Sequence, residues 1–356
     1  MSGPRRQSGE WAATAGIATA IALCSHAAAA QGVPPFKAGL SYVVAYGPKQ
    51  YPVLTLLLAL SALMLAIIAI IMILVLLGAF SRRASSNEPA AVPVDRPNRG
   101  LSFIYVGIAL TVPALLAISA WTYDVLAQVA SPRGAAVFTV RVIGHQWWWE
   151  LQYAGAAPDR AFATANEMHI PVGKPVRIEL ETSDVIHSFW VPALTGKMDT
   201  TAGQHNVTWI QADEPGIYRG QCTEYCGLQH AHMGLLVIAE PEAQFEAWWN
   251  HQLDGPALPV SEPALDETLK GQATFMRYCA VCHAVRGTMA AGRVGPDLSH
   301  LAERRTIAAG SIRNTVGDLS GWIADPQHIK PGNYMPMLTL SGEDLNHVRA
   351  FLTALK

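Results

Sequence analysis

Charge is scarce in this sequence, and no long run of one sign is present. Only 15% of the 356 residues are charged, and the formal net charge is −2. Proteins that bind nucleic acid usually carry a basic patch that neutralises phosphates. The near-neutral balance therefore gives no sign of a nucleic-acid partner. Hydrophobic residues make up 51% of the chain, there is no internal repeat, and the length allows two or three modules.

Cysteine is also scarce, and its distribution excludes an ordinary disulfide framework. Of the five cysteines, four form two close pairs, Cys222 with Cys226 and Cys279 with Cys282, whereas Cys24 stands apart. Disulfide frameworks spread their cysteines through a short secreted chain. Close pairs that lie beside histidines indicate cofactor ligands instead.

Residues 1–30 have the pattern of a secretory signal peptide. Two arginines precede a short apolar stretch at 11–23, and alanines at 27–30 form a small-residue cleavage context. The apolar stretch is too short to cross a bilayer comfortably. Cleavage at this site would remove Cys24, and attachment of a lipid to Cys24 is the alternative.

Two long apolar runs follow. Residues 53–80 contain no charge, and at about 1.5 Å per residue they can cross a hydrocarbon core of about 30 Å. The second run begins at residue 101 and contains a glycine and a proline, which transmembrane helices tolerate. We predict a transmembrane hairpin within residues 31–130, with helices at about 53–80 and 101–122. A buried core helix is the alternative for each run.

The connection between the two runs, residues 81–100, indicates how the hairpin is oriented. It contains four arginines, which are Arg82, Arg83, Arg96 and Arg99. The positive-inside rule places such a loop in the cytoplasm. The N-terminus and everything after about Tyr123 then lie on the periplasmic side of a bacterial inner membrane.

The amino-acid pattern of the remaining chain changes twice. Short β-branched stretches at 137–140, 175–180, 207–210 and 235–238, separated by glycine and proline, predict an antiparallel β-sandwich or barrel. We place this all-β domain at 131–252, ending in a short helix. Residues 253–264 are rich in proline and small side chains, which is typical of a linker. Residues 265–356 predict a helical domain, with a short helix before Cys279 and an amphipathic helix at 342–355.

The first candidate metal site lies at residues 222–233, which read C-x-E-x-C-x-x-x-H-x-x-M. Two thiolates, an imidazole and a thioether form a soft donor set that favours copper, whereas zinc has little use for methionine. Two cysteines four residues apart can direct both sulfurs to one point and can bridge two ions. The spacing leaves one or two coppers open. His187, at a strand–loop junction, is the candidate second imidazole. A disulfide or zinc loop is the alternative.

These residues resemble the CuA site of cytochrome c oxidase subunit II, and the resemblance runs from the signal peptide to Glu240. It implies a cupredoxin-like Greek-key sandwich that binds a binuclear copper centre. In that family the two cysteines bridge the coppers, each histidine binds one copper, and a methionine and a backbone carbonyl are weak axial ligands. The implied ligands are Cys222, Cys226, His187, His230, Met233 and the carbonyl of Glu224. The Glu224 side chain would reach a Mg²⁺ or Mn²⁺ shared with the catalytic subunit.

An aromatic segment at 144–153 is the second feature of this domain. Three tryptophans in a row ordinarily indicate core or interface packing. The segment also resembles the family's aromatic region, in which the first tryptophan after a glutamine is where electrons enter. The resemblance assigns this role to Trp147, with an exposed indole edge near the copper pair. His205 and His232 lie outside the motif, and we expect both at the surface or beside the ligands.

One departure from the family concerns proton uptake. Many members carry a glutamate in the second transmembrane helix, at the mouth of a proton channel in the catalytic subunit. The run 103–118 contains no acidic residue. A role for this chain in proton uptake by that route is therefore in doubt.

The second candidate site is the C-x-x-C-H motif of Cys279, Cys282 and His283, which is the signature of c-type haem attachment. The two thiols add to the haem vinyl groups, and His283 binds the iron from the proximal side. A thioredoxin-like motif is the alternative, but it would follow a strand in a cytosolic protein. The resemblance to class I cytochromes c implies an all-α domain with Met335 as the distal ligand. Met337 is the alternative ligand.

The order of the modules resembles subunit II of a caa-type oxidase. The resemblance implies that electrons from a cytochrome c or another donor reach the haem, pass to the copper centre and leave to a haem-copper catalytic subunit I. That partner reduces O₂ to water and translocates protons, and a subunit III is also implied. This chain lacks the transmembrane histidines of an O₂ site, so its own part is electron transfer.

Two other functions fit the same motifs. The copper-bearing subunit of a nitric oxide reductase shares the copper motif and the hairpin. A membrane-tethered electron shuttle without a catalytic partner would also use both cofactors. A quinol oxidase subunit is disfavoured, because the copper ligands would serve no purpose in it.

Overall fold

The computed structural model describes residues 36–81, 97–155 and 157–356. The predicted signal peptide and most of the predicted cytoplasmic loop therefore lie outside the described residues. The described chain forms two compact units, one made of residues 49–132 and one made of residues 36–48 and 133–356.

Two helices, α1 (Tyr51–Phe80) and α2 (Pro97–Ala130), make up the first unit and contact each other. Both are long and apolar enough to cross a membrane. No side chain of α1 is buried within the chain, as expected for a helix that lipid covers, since a transmembrane helix satisfies its own backbone hydrogen bonds.

Helix α2 is longer than the predicted span of 101–122. A proline is compatible with the first helical position because its missing N–H has no helical partner there. At the other end, residues 122–130 contain no glycine or proline, so nothing stops the helix before Ala130. The added turns include Asp124, whose carboxylate accepts a hydrogen bond from Gln128 at 2.6 Å. The absence of acidic residues therefore holds for 103–118 but not for the whole helix.

The second unit begins with an all-β domain, and short strands run through it in two layers. The strands are β1 (Phe36–Ala38), β2 (Thr139–His145), β3 (Trp148–Ala154), β4 (Phe162–Ala165), β5 (Glu167–Pro171), β6 (Val176–Thr182), β7 (His187–Phe189), β8 (Met198–Thr200), β9 (Asn206–Ile210), β10 (Gly216–Gln221) and β11 (Gly234–Glu240). One sheet has the order β4-β3-β2-β6-β9, the other has the order β1-β10-β11-β5, and β7 pairs with β8. The predicted β-sandwich is confirmed.

The expectation of antiparallel pairing was only partly right. Strands β2 and β3 pair antiparallel, but β2 with β6, β5 with β11 and β1 with β10 are parallel. The chain leaves the first sheet after β4, crosses to the second at β5 and returns at β6 on the other side of β2. A strand that returns by such a crossover runs parallel to its new neighbour.

Side chains of alternate residues fill the space between the sheets. Val140 and Val142 on β2, and Ile178 and Leu180 on β6, are completely buried, which is the period of two that a half-buried strand shows. Each such aliphatic side chain stabilises the fold by about 1.5–3 kcal/mol through burial. This core supports β7, which begins at His187, and the facing ends of β10 and β11, between which the other candidate ligands lie.

The rest of the second unit is mainly helical. Its helices are α3 (Glu242–Leu253), α4 (Ala264–Tyr278), α5 (Val316–Ala324), α6 (Pro326–Ile329) and α7 (Gly342–Ala354), with two short paired strands, β12 (Thr306–Ile307) and β13 (Ile312–Arg313). Ser341 caps α7 by accepting a hydrogen bond from the backbone N–H of Asp344. The rings of Phe275 and Phe351 join α4 to α7, with centroids 5.3 Å apart.

Candidate metal centres

The loop between β10 and β11 carries most of the predicted copper ligands. Its two ends are held together because the N–H of Cys222 donates to the carbonyl of Met233 at 2.9 Å. The antiparallel pairing of β10 with β11 continues from this point into the sandwich. The loop is therefore short, closed at its base and fixed to a rigid sheet, which is how folds commonly position functional side chains.

The structure brings all six predicted donor groups together around the two sulfurs. The Sγ atom of Cys222 lies 3.8 Å from Sγ of Cys226, 4.0 Å from Nδ1 of His187 and 3.3 Å from the carbonyl oxygen of Glu224. The Sγ atom of Cys226 lies 3.5 Å from Nδ1 of His230 and 3.9 Å from Sδ of Met233. The sulfur separation far exceeds a disulfide bond of about 2.05 Å. It is shorter than twice a metal–thiolate distance of about 2.3 Å, so one ion can bind both sulfurs.

The two thiols differ in how readily they lose a proton. The hydrogen bond between the sulfurs, together with His187, holds the pKa of Cys222 far below the ordinary value of a thiol. The neighbouring Cys222 sulfur and burial raise the pKa of Cys226. A bound cation would offset the second negative charge, so the pair suits a metal that prefers thiolate ligands.

Asp184 orients His187, and the sequence motifs did not reveal it. Nε2 of His187 lies 2.8 Å from Oδ1 of Asp184. An ionised carboxylate can only accept, so Nε2 carries the proton and Nδ1 faces Cys222 as an acceptor. Burial is the largest single influence and lowers the pKa of His187, but the hydrogen bonds and charges of Asp184 and Cys222 together raise that pKa above its ordinary value. A carboxylate behind an imidazole is the usual partner of a metal-binding histidine.

Gly144 leaves room for His187 against strand β2. A Cβ atom at position 144 would lie 2.6 Å from Cδ2 of the His187 ring, closer than side-chain atoms approach. Any larger residue would displace the imidazole from the sulfurs. The glycine that opens the aromatic segment therefore has a packing role at the site.

Trp147 lies beside the copper loop, but its indole is not exposed as expected. Its Nε1 donates to the carbonyl oxygen of Cys226 at 2.9 Å, and only 7% of the residue is exposed. The ring of Tyr334 stacks nearly parallel to the indole, with centroids 6.4 Å apart. The expectation of an exposed indole was wrong because Tyr334, which belongs to the helical domain far along the chain, covers this face of the ring.

Lys330 joins the two domains beneath that contact. Its ammonium group is almost completely buried and donates to the carbonyl oxygens of Trp147 at 2.6 Å, His232 at 2.8 Å and Ala308 at 3.2 Å. Burial lowers the pKa of Lys330 to about 7. The Tyr334 hydroxyl adds a bond to Oε1 of Gln146 at 2.9 Å. These contacts were not predictable from the motifs.

Glu167 makes the second buried connection between the domains. Its Oε1 atom accepts from the backbone N–H groups of Arg305 and Thr306, each at 2.9 Å, and from the Thr306 hydroxyl at 3.0 Å. The N–H of Gly234 also donates to the carbonyl of Ala309 at 2.9 Å. The helical domain is thus held at the end of the sandwich that carries the copper loop.

The predicted haem-attachment motif forms the first turn after α4. The N–H groups of Cys282 and His283 both donate to the carbonyl of Cys279 at 3.0 Å, which places the two thiols and the imidazole on one tight turn. Both thiols are free and half-buried. No strand precedes the motif, so the structural context of a thioredoxin-like site is missing within the described residues 265–279.

Proline and glycine in the downstream loop orient His283. Nδ1 of His283 lies 2.9 Å from the carbonyl oxygen of Pro296. A carbonyl oxygen only accepts hydrogen bonds, so Nδ1 carries the ring proton. Nε2 therefore keeps a free lone pair that can bind iron. A Cβ at Gly295 would lie 2.5 Å from the ring, so this position needs glycine. Burial lowers the pKa of His283, which favours the neutral form that binds iron.

Met335 and Met337 differ in how firmly they are held. The backbone N–H of Met335 donates to Oδ1 of Asn333 at 2.8 Å, and its carbonyl accepts from Gln327 at 2.7 Å. Met335 is half-buried, whereas Met337 is 60% exposed. The backbone of Met335, the predicted distal ligand, is therefore held by two side-chain hydrogen bonds.

The two histidines outside the motif lie at the surface. His205 is exposed, and its Nδ1 atom lies 3.1 Å from Oε1 of Glu181. The exposed His232 contacts the side chain of Gln229 at 2.6 Å. Its own imidazole does not reach either cysteine among the described contacts.

The residues fit the groups that the motifs imply. The soft donor set around two thiols suits copper, and the turn with two thiols and an oriented imidazole suits a covalent haem. The fold and these two sites define a membrane-anchored electron-transfer protein with a cupredoxin-like domain and a cytochrome c domain.

Comparison with known proteins gives the family. Residues 155–240 match the family model described as the cytochrome c oxidase subunit II periplasmic domain, and residues 268–356 match the cytochrome c model. Cytochrome c oxidase subunit 2 of Alkalihalophilus pseudofirmus is 35% identical over 288 residues, which cover 79% of this chain and 80% of that protein. The corresponding protein of Bacillus sp. strain PS3 is 34% identical and covers 65% of this chain and 66% of its own length. The chain belongs to the cytochrome c oxidase subunit 2 family.

A solved structure resembles one part of the chain. The periplasmic domain of subunit II of cytochrome oxidase from Bradyrhizobium japonicum is 32% identical and covers 33% of this chain and 95% of that domain, with a TM-score of 0.31.

Membership of the family confirms several predictions. The chain is an electron-transfer subunit within an oxidase complex, it associates with other oxidase subunits, and it is a membrane protein with periplasmic domains. The two matching family models indicate copper and haem c as its cofactors.

Proposed function

We propose that this chain receives electrons at a covalent haem c and delivers them through a binuclear CuA centre to the catalytic subunit of a terminal oxidase. The two bound groups supply one-electron redox chemistry. The protein's own contribution is to hold their ligands and to connect them by a short path. The catalytic subunit, subunit I, reduces O₂ to water with proton translocation.

The observation that carries this proposal is the position of Trp147 between the two sites. On one side, its ring stacks against Tyr334, the residue that precedes the proposed haem ligand Met335. On the other side, its Nε1 donates a hydrogen bond to the carbonyl of Cys226, one of the proposed bridging ligands. One aromatic contact and one hydrogen bond therefore connect the distal ligand of the haem to a ligand of the copper centre.

The proposed roles of the ligands follow the donor geometry. Cys222, Cys226, His187, His230, Met233 and the backbone carbonyl of Glu224 would hold the two coppers, with the thiolates and imidazoles as the main ligands and the thioether and the carbonyl as weaker ones. This assignment is supported by the two thiols at the centre of the cluster, each with its own imidazole at 4.0 Å or less. For the half-buried Glu224 side chain we propose the role of ligand to a Mg²⁺ or Mn²⁺ shared with subunit I. Cys279, Cys282, His283 and Met335 hold the haem.

The remaining proposals concern organisation. We place the boundaries of the copper domain at 131–252, the linker at 253–264 and the cytochrome domain at 265–356. The complex lies in a bacterial inner membrane, with the loop 81–100 in the cytoplasm. A cytochrome c or another periplasmic or membrane donor reduces the haem, and subunit III is an additional partner.

Replacement of the stacked ring tests the path. In the purified oxidase, Tyr334→Leu should slow copper reduction after rapid reduction of the haem by about tenfold, which corresponds to about 1.4 kcal/mol in activation free energy. Tyr334→Phe keeps the ring and should retain most of the rate. The reduction potentials of both centres should be unchanged. Equal rates in the wild type and Tyr334→Leu would show that electrons take another path.

The terminal acceptor needs a separate measurement. We expect the complex purified in mild detergent to contain a many-helix haem protein. When reduced cytochrome c is supplied as electron donor, this complex should consume O₂. Turnover with NO but not O₂ would indicate the nitric oxide reductase alternative. Purification of the chain alone, without any loss of electron-transfer activity, would indicate the shuttle alternative. The relatives favour the oxidase, since they are cytochrome c oxidase subunits.

A further inference from the structure

A cluster of two histidines and a glutamate lies at the junction of the two periplasmic domains, apart from the residues assigned above. It consists of His251 near the end of α3, His300, and Glu303 in a single 3₁₀ turn. One nitrogen or oxygen atom from each of the three residues lies within 4.8 Å of the others. Nε2 of His251 is 3.0 Å from Oε1 of Glu303, and Nδ1 of His300 is 3.9 Å from Oε2.

The orientation of His300 is the second observation. Its Nε2 lies 3.1 Å from the carbonyl oxygen of Asp254, which can only accept, so the ring proton is on Nε2. Its Nδ1 atom is buried and, among the residues that the structure describes, has no hydrogen-bond partner. The residue is only 5% exposed, so bulk water does not serve this nitrogen freely.

The environment of Nδ1 calls for a positive charge. With the proton on Nε2, Nδ1 presents a lone pair toward the carboxylate of Glu303, and two electron-rich atoms repel each other. A buried polar atom without a hydrogen-bond partner destabilises the folded state. A second ring proton would resolve the conflict, but burial lowers the pKa of His300. A metal ion bound by Nδ1 and the carboxylate would resolve it without that proton.

We propose that His251, His300 and Glu303 form a binding site for a divalent transition-metal ion of the zinc class. Two imidazoles and one carboxylate are a known donor set for Zn²⁺, with water in the fourth position. The hydrogen bond from Nε2 of His300 to a backbone carbonyl is the arrangement that orients metal-binding histidines. Without a thiolate, the set has no preference for Cu⁺, which separates it from the copper loop.

The ion would connect the two domains. His251 belongs to the helix that ends the all-β domain, whereas His300 and Glu303 belong to the cytochrome domain. The Arg286 guanidinium already crosses the same junction, since it donates to the carbonyls of Gln252 at 3.0 Å and Leu253 at 2.6 Å. A metal bound here would stabilise the docked arrangement of the cytochrome domain, because it binds only when both sides are in place.

Zinc titration of the full chain with copper and haem already bound tests the proposal. We expect one additional Zn²⁺ per haem, measured by elemental analysis after removal of free metal. His251→Ala and Glu303→Gln should each weaken Zn²⁺ binding by at least about 100-fold, beyond the 10–100-fold loss typical of outer-shell changes. These two ligands are partly exposed, so their replacement should leave the fold intact.

His205→Ala is the matched control. His205 is an exposed histidine that pairs with a carboxylate but has no third ligand nearby in the described structure, so its loss should leave Zn²⁺ binding unchanged. X-ray absorption at the zinc edge should show two imidazoles and oxygen ligands. Zn²⁺ should raise the unfolding temperature of the wild type and of His205→Ala, but not of His251→Ala. A sulfur shell, no additional ion in the wild type, or equal binding by Glu303→Gln would refute the site.

Discussion

At the residue scale, the proposed copper site depends on the side chains behind the proposed ligands as much as on the ligands themselves. Asp184 holds the proton of His187 on Nε2 and turns Nδ1 toward the sulfurs, at 4.0 Å from Cys222. The same carboxylate accepts from the backbone N–H of Gln146 at 2.7 Å. One acidic residue therefore ties a ligand to the start of the aromatic segment.

Asp184→Asn should impair copper binding with little change to the fold. The amide is uncharged and can present its NH₂ group to His187, so the imidazole loses its fixed tautomer. We expect copper affinity to fall by about 10- to 100-fold, the usual effect of changing the partner of a metal-binding histidine. Competition with a copper chelator in the full chain measures this.

Asp213→Asn provides the control for this substitution. Asp213 is exposed, and its carboxylate accepts a hydrogen bond from the side-chain amide of Gln211 at 2.9 Å. Among the described contacts, this carboxylate has no hydrogen bond to a proposed copper ligand. Its replacement should leave copper affinity unchanged. An equal loss in both variants would indicate a general effect of surface charge rather than orientation of His187.

At the element scale, strand β5 anchors the cytochrome domain through its first residue. Glu167 is buried at the start of the strand, where β5 runs parallel to β11. Its carboxylate accepts from consecutive N–H groups that lead into β12. The sheet that ends in the copper loop therefore also holds the cytochrome domain in place.

Glu167→Gln should lower the free energy of unfolding by about 1.5–3 kcal/mol, the range for hydrogen bonds to a charged group. The amide cannot direct acceptor oxygens to all three donors, and its NH₂ group would face a backbone N–H. Urea unfolding of the full chain in detergent, followed through the haem absorbance, measures the change.

Glu179→Gln is the matched control on strand β6. Glu179 pairs with Arg177 at 3.1 Å on the surface, and replacements of this kind usually change stability by less than about 0.5 kcal/mol. If Glu167→Gln behaved like this control, the connection at β5 would not contribute to docking.

At the scale of the whole periplasmic unit, the cytochrome domain covers the indole of Trp147, the proposed point of electron entry to the copper centre. Trp147 lies under Tyr334 and Lys330, and is almost completely buried. An external donor consequently cannot reach this indole while the domains are docked. In the proposed path, the cytochrome domain is therefore a fixed component rather than a mobile carrier.

A fixed arrangement predicts one narrow distance between the low-spin haem iron and the copper centre. Dipolar electron paramagnetic resonance on the frozen, fully loaded chain measures this distance. The distribution should broaden in the double variant Lys330→Met with Glu167→Gln, since both buried connections are then lost. A broad distribution in the wild type would mean that the domain moves freely.

The three module types and the presence of copper and haem c could be predicted from the amino-acid sequence alone. Spacing within 222–233 and 279–283 predicts cofactor ligands because these residues are near neighbours in the chain. Apolar runs of sufficient length identify membrane helices for the same local reason. The short β-branched stretches similarly predicted strands β2, β6, β9 and β11, although the parallel pairings could not be derived from them.

The residues that surround those proposed ligands could be found only from the folded structure. Three features depend on contacts between segments that are far apart in sequence. They are the burial of Trp147, the three carbonyl groups that accept from Lys330, and the cluster of His251 with His300. No local periodicity records such contacts, because they depend on how one domain packs on another. Even the extent of α2, which includes Asp124, exceeded the apolar run, since helix formation continues as long as no residue stops it.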